Sequence, residues 1–228
     1  MTIKDKYIIM IILCITALTG CKEEYIYPRV TTEFCDVKTD GSGRLSALLT
    51  DRNELLHISY RPGIDGFTKD STYRCTAKYT VPENTDSVFL YSLHPTVSHQ
   101  PIAIEKFLAN NEGIIQDPVT LESIWSADRF INMILLQKNK DIPHLYQLID
   151  EGIQTSSNGQ KTVGIIIYHN RMDDYEAFNS EVYVSIPLNL YNNILTDGDR
   201  IQVKISTYNR PNDVRTFERK NNKWILTD

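Results

Sequence analysis

The chain has 228 residues, is 41% hydrophobic and 23% charged, and carries a formal net charge of −5. That length suits one large or two small domains. The acidity argues against a nucleic-acid partner, which needs a basic footprint; the locally basic stretch Gly198–Asp228 is interrupted by Asp199, Asp213 and Glu218 and reads as a solvated face.

The N-terminus is a targeting segment. Lys4 and Lys6 precede an apolar run, Tyr7–Leu18, of 12 residues. A membrane-crossing helix needs about 20, so the run fits the apolar part of a secretory signal. It ends at Leu18-Thr19-Gly20-Cys21, which resembles a bacterial lipobox. The resemblance implies cleavage before Cys21 and acylation of its thiol, with two or more chains giving stable attachment at about 0.8 kcal/mol per buried CH₂. Lys22-Glu23-Glu24 is similar to the lysine-then-acid export tag of surface lipoproteins in Bacteroidetes, the alternative being a plain polar tether. The expected location is the outer membrane, lipid-anchored, facing either the cell surface or the periplasm.

Residues 1–20 are therefore set aside as signal, and 21–29 read as a tether. β-Branched and aromatic residues predict a strand at Val30–Lys38, and a strong turn at Asp40-Gly41-Ser42-Gly43 and a polar turn at Asp51-Arg52-Asn53 set off two more, Arg44–Leu49 and Glu54–Tyr60. After a loop rich in breakers, Thr72–Val81 alternates as a half-buried strand with Arg74 and Thr76 on its polar face. Ser87–Leu93 is apolar on both faces and is expected to be covered on both. Five strands in this three-plus-two order fit a small OB-like barrel over 30–103. Residues 104–116 read as a linker, with a helical turn or two at Ile104–Asn111.

Strand signals resume at Val119–Trp125, Phe130–Gln137, His144–Ile149, Thr162–Tyr168, Glu181–Ile186 and Ile201–Thr207, with Val214–Glu218 as a short edge strand. About seven strands over 117–228 predict a β-sandwich. The expected fold is thus all-β: a five-stranded OB-like barrel followed by a sandwich.

Asp117-Pro118-Val119, Ser123-Ile124-Trp125, Phe130-Ile131-Asn132-Met133-Ile134, Tyr168-His169-Asn170 and Val182-Tyr183-Val184-Ser185-Ile186-Pro187-Leu188 resemble the C-terminal domain of NigD-like lipoproteins of Bacteroidetes. Gly43-Arg44-Leu45 and Leu48-Leu49-Thr50-Asp51 are similar to that family's N-terminal OB-like domain. The resemblance implies two all-β domains and a lipid anchor. It implies no reaction and no catalytic residues.

The residues themselves offer little chemistry. None of the five histidines has zinc-protease spacing, no serine sits in a nucleophile elbow, and Gly41-Ser42-Gly43 lacks the context of a phosphate loop. No catalytic or metal-ligating residue and no cofactor is assigned. Asp173, Asp174 and Glu176 share one loop and are the oxygen-rich place for a cation, or simply exposed acids in a turn. Cys35 and Cys75 remain after signal removal. They are either a disulfide closing a loop of about 40 residues, with up to about 4 kcal/mol of stabilisation, or two buried thiols. Tyr60 and Phe67, near the loop after the third strand, form the candidate ligand surface. The functional expectation is a non-enzymatic binding module contacting glycan or protein, not nucleic acid. A bacteriocin-associated or protective envelope protein and a hydrolase with a dispersed site are the alternatives.

Overall fold

The computed structural model describes residues 29–61, 63–83 and 85–227. Cys21, Lys22, Glu23 and Glu24, read from sequence as a lipidation site and an export tag, lie outside the described residues.

The first strand, β1 (Val30–Thr39), is buried on both faces in its second half. Cys35 and Val37 point into one apolar core, while Phe34 and Asp36 point the other way. The turn after β1 is held by Asp40, whose carboxylate accepts the Ser42 hydroxyl (2.6 Å) and the amides of Ser42 (2.8 Å) and Arg44 (3.0 Å). Those donors, the Ser42 hydroxyl first, hold its carboxyl down at about 2. Gly43 has φ 80°, and a Cβ there would lie 2.5 Å from the Phe67 carbonyl oxygen, so only glycine fits.

Four more strands follow: β2 (Leu45–Thr50), β3 (Leu55–Tyr60), β4 (Thr72–Thr80) and β5 (Ser87–Val97). β1 pairs antiparallel with β2 and β4, β2 with β3, and β4 with β5, while β3 and β5 run parallel. These pairings close a five-strand ring around Cys35, Val37, Leu48, Ala77, Tyr79, Val88 and Leu90. The sequence suggested that β5 would be covered on both faces. Val88 and Leu90 are fully buried, but Phe89 and Tyr91 are each 40% exposed. Among the described residues Phe89 meets Tyr60 edge-on (5.6 Å), and both stay partly exposed.

β5 does not end with the ring. Its last residues pair in parallel with β11 (Phe178–Pro187), through Tyr183↔Thr96 and Val184↔Val97. One sheet of eight strands therefore runs β3-β2-β1-β4-β5-β11-β8-β7, with β7 (Thr120–Ser126) and β8 (Phe130–Asn139). The second sheet is β14-β13-β12-β10-β9-β6: β6 (Ile102–Ala103), β9 (Leu145–Thr155), β10 (Lys161–Asn170), β12 (Arg200–Ile205), β13 (Asp213–Lys220) and β14 (Lys223–Leu226). Between the sheets lies the larger core, built on Ile131, Met133, Leu135, Leu148, Val163, Ile165, Val184, Ile186, Ile201, Val203 and Phe217. At about 25 cal/mol per Å² of apolar surface buried, this interlayer is the main stabilising contribution to the sandwich.

β13 was expected as an edge strand. It is interior, because β14 pairs outside it through Lys220↔Lys223 and Arg219↔Trp224. Asn221 and Asn222 both have positive φ (51° and 60°) and make the two-residue turn between them. β6 lies at the end of the stretch read as the barrel, and the stretch read as a linker, 104–116, holds a helix, α1 (Ile104–Leu108), whose Phe107 packs with Ile149, Ile166 and Tyr168 on the outer face of the second sheet.

Candidate functional site

The ring and the sandwich meet on the outward face of β1 and β4, and that junction has an ionic half and an aromatic half. The ionic half is centred on Arg74, whose side chain is 4% exposed. Its Nε donates to Ser185 Oγ (3.0 Å). Nη1 donates to Asp51 Oδ1 (2.8 Å) and Asp36 Oδ1 (3.3 Å), and Nη2 to Asp51 Oδ2 (2.7 Å) and Asn132 Oδ1 (3.0 Å). All five guanidinium protons thus have acceptors. Asn132 Nδ2 also donates to Asp51 (2.7 Å), Ser185 Oγ donates to Asn132 Oδ1 (2.7 Å), and Arg129 pairs with Asp36. The Phe130 ring lies under the guanidinium at 3.9 Å. Two arginines meet two aspartates, so the cluster is neutral, and it bridges β1, β4 and the turn after β2 to β8 and β11. The sequence reading had put Arg74 and Thr76 on a polar outer face. They are 9% and 2% exposed, because the sandwich covers that face.

Two residues along each strand, on the same face, the character changes. Phe34, opposite Thr76 in the β1–β4 register, meets Trp125 and Tyr183 edge-to-face, with centroids 5.4 and 5.7 Å away. The three rings line a cleft of about 610 Å³ between the ring of β1–β5 and the sandwich, a volume suited to a small ligand or one side chain of a larger one. Its carboxylates are Glu33, Asp51, Asp128 and Glu181, and its cation is Arg52. Arg52 sits 3.2 Å from Glu33, which also accepts the Tyr79 hydroxyl. Asp51 is held by Arg74. Burial first, then Glu181 and Glu122, push the Tyr183 phenol up to about 12. The wall serine, Ser126, donates its hydroxyl to the Trp224 carbonyl. Thr76 Oγ1 lines the cleft, is buried and has no hydrogen-bond partner among the described residues.

Tyr60 and Phe67, singled out from sequence, are not brought to a common surface. Tyr60 is 54% exposed and borders a separate polar groove of about 570 Å³ with His57, Arg44 and Asp65. Phe67 packs against Tyr73 (5.0 Å) and the core of the five-strand ring. Cys35 and Cys75 are direct cross-strand neighbours in that core and carry free thiols in this structure. Burial pushes both up, Cys75 to about 11.

Asp173, Asp174 and Glu176 do not converge. Asp174 is buried and accepts the amides of Lys140 (2.6 Å) and Asp141 (3.1 Å); Glu176 pairs with Lys138 (3.1 Å) and Arg171 (3.5 Å). Among the described residues no cluster of three metal-ligating side chains forms. Asp174 instead faces His144 Nε2 (3.4 Å), and His144 Nδ1 lies 2.9 Å from His169 Nε2. His169 Nδ1 is 2.8 Å from the Asp117 carbonyl, so it donates there and its Nε2 accepts from His144. Burial, more than the neighbouring His144, pushes His169 down. This buried chain pins the loop after β8 to the loop after β10, and Tyr146 stacks on it (4.4 Å).

The family of the sandwich is decided by its sequence. Residues 101–219 match the NigD-like C-terminal beta sandwich domain. The chain belongs to the NigD-like family. Solved structures with this fold include a NigD-like immunity protein from Bacteroides caccae, 24% identical, with a TM-score of 0.66 over 89% of this chain and 94% of that one. A candidate toxin-related protein from Parabacteroides distasonis is 17% identical, with a TM-score of 0.62 over 82% and 92% of the two chains. A candidate lipoprotein from Bacteroides fragilis is 12% identical, with a TM-score of 0.54 over 88% and 96%. A comparison with curated protein sequences gives no match. In this NigD-like chain, Trp125, Asn132, Tyr183 and Ser185 all fall inside the matched sandwich, whereas Phe34, Asp36, Arg74 and Thr76 belong to the ring before it. The junction is therefore composite.

Sequence reasoning missed this junction. Two signals pointed to it: Asn132 within the apolar run Phe130–Leu136, and Arg74 within a strand between Tyr73 and Cys75.

Proposed function

We propose that this NigD-like protein is a lipid-anchored protein of the bacterial envelope, acylated on Cys21, and that it binds a ligand in the cleft between ring and sandwich without chemical turnover. The observation that carries the binding reading is the cleft itself: three aromatic rings, a buried hydroxyl without a partner and a volume of about 610 Å³, contributed by both parts of the chain. Among the described lining residues no serine or threonine hydroxyl has a base beside it: Ser126 donates to the Trp224 carbonyl and Thr76 has no partner. The anchor reading rests on Leu18-Thr19-Gly20-Cys21, and Lys22-Glu23-Glu24 supports display at the cell surface.

The anchor is tested by fractionation. Wild type partitions with envelope lipids and incorporates labelled palmitate, whereas Cys21→Ser does neither; retention of the variant in the membrane fraction refutes the anchor. Protease treatment of intact cells then separates surface from periplasmic orientation. A second reading, immunity against a toxin, is favoured by the words attached to the B. caccae and P. distasonis structures. It requires a deletion strain to become sensitive to an antibacterial protein that the parent resists.

A further inference from the structure

We propose that the cleft takes a cation: a lysine or arginine side chain carried by a basic polypeptide segment. This rests on the reading of the cleft as the ligand seat and names the chemistry that fills it.

Four carboxylates line the cleft against one guanidinium. Asp51 is neutralised by Arg74 and Glu33 by Arg52. Asp128 and Glu181 have no cationic partner among the described residues: Asp128 accepts only the Asn53 amide (3.2 Å) and Glu181 the Tyr183 hydroxyl. The uncompensated charge is negative, which disfavours an anion and leaves a neutral sugar unable to balance it. The half-buried rings of Trp125 and Tyr183 lie on the same wall as those acids, surroundings that attract an ammonium or guanidinium, and Phe34 behind them already carries the Arg74 guanidinium over its ring (5.6 Å).

The hydrogen-bonding inventory points the same way. The unpaired charged positions on the wall are acceptors, the carboxylate oxygens of Asp128 and Glu181 at the rim; the Thr76 hydroxyl, 2% exposed and without a partner among the described residues, can accept as well as donate. Lysine and arginine heads are donors with no acceptor, three protons for one and five for the other, while their alkyl stems match an aromatic wall. Arg52 already shows the wall receiving a guanidinium, on Glu33 at the rim. A second cationic head paired with Asp128 or Glu181, both exposed at the rim, would repeat that pairing.

The test titrates the full chain with tetra-arginine, with tetraglutamate and maltotetraose as comparison probes, by calorimetry and by tryptophan fluorescence. Tetra-arginine is expected to bind saturably, to weaken as salt is raised, and to bind about tenfold more weakly to the Glu181→Gln/Asp128→Asn double variant and to Trp125→Ala. The double variant changes only exposed carboxylates, so its fold is preserved, and circular dichroism checks both variants. Maltotetraose binding that is lost in Trp125→Ala would overturn the cation while leaving the cleft as the seat. No binding of any probe, or tetra-arginine binding unchanged in Trp125→Ala, would overturn the cleft as well. Tetra-arginine binding unchanged in the double variant alone refutes the ionic pairing and with it the proposal.

Discussion

Replacing Arg74 with alanine removes five hydrogen bonds at once and leaves the carboxylates of Asp36 and Asp51 facing a covered interface. Asp36 keeps Arg129, and Asp51 keeps the Asn132 amide, with Arg129 4.0 Å away. Compensation is therefore partial. Breaking a buried pair by deleting one partner costs about 3–5 kcal/mol, chiefly for the charge left behind. The stacking on Phe130 at 3.9 Å is lost as well, which places the expected cost near 4 kcal/mol rather than at the lower limit. Against a total stability of about 5–15 kcal/mol that is a large share. In a chain of this size it lowers Tm by roughly 8–16 °C. Urea denaturation followed by tryptophan fluorescence and by far-UV circular dichroism measures it. Because the cluster joins the five-strand ring to the sandwich, the two curves are also expected to separate in the variant. Arg74→Lys keeps the charge but loses the paired contact to Asp51, and is expected to fall between variant and wild type. A cost below about 1 kcal/mol for Arg74→Ala, with coincident curves, would refute the idea that this cluster fastens the junction.

Thr76→Val exchanges a buried, unpartnered hydroxyl for a methyl group, and is expected to raise stability by about 1 kcal/mol while weakening ligand binding; a less stable variant would mean the hydroxyl is satisfied. Asp174, despite burial, is held down to about 2 by the backbone amides that surround it. Its contribution is therefore complete above its unfolded value of 3.8 and is lost as pH falls towards 2. Asp174→Asn should remove that acid-limb drop in Tm, and an unchanged limb would show that other carboxylates cause it. Cys35 and Cys75 are buried with thiols pushed up, so the reduced native chain should resist iodoacetamide at pH 8 and react once unfolded in urea. Rapid labelling of the native chain would contradict their place in the core.

Much of the architecture is written locally. Alternation in the sequence with period two marks β4, β10, β11 and β12, because the pattern that identifies a strand is carried by its own near neighbours. The turn at Asp40–Gly43 was legible for the same reason: the side chain that holds it lies within four residues. Asn221-Asn222 is an equally local signal, and reading it as a hairpin turn would have found β14 and removed β13 from the edge.

What sequence alone determined is the all-β character, the order of most strands and the family of the sandwich. What only the tertiary structure decided is which faces meet. Arg74 finds Asn132 and Ser185 across 58 and 111 residues of chain. Phe34 reaches Trp125 and Tyr183 only because β5 runs on from the ring into the sandwich sheet. A face that alternation marks as polar is equally consistent with water or with a partner of complementary charge. The choice is made by packing between distant strands, and neither spacing nor propensity carries that information.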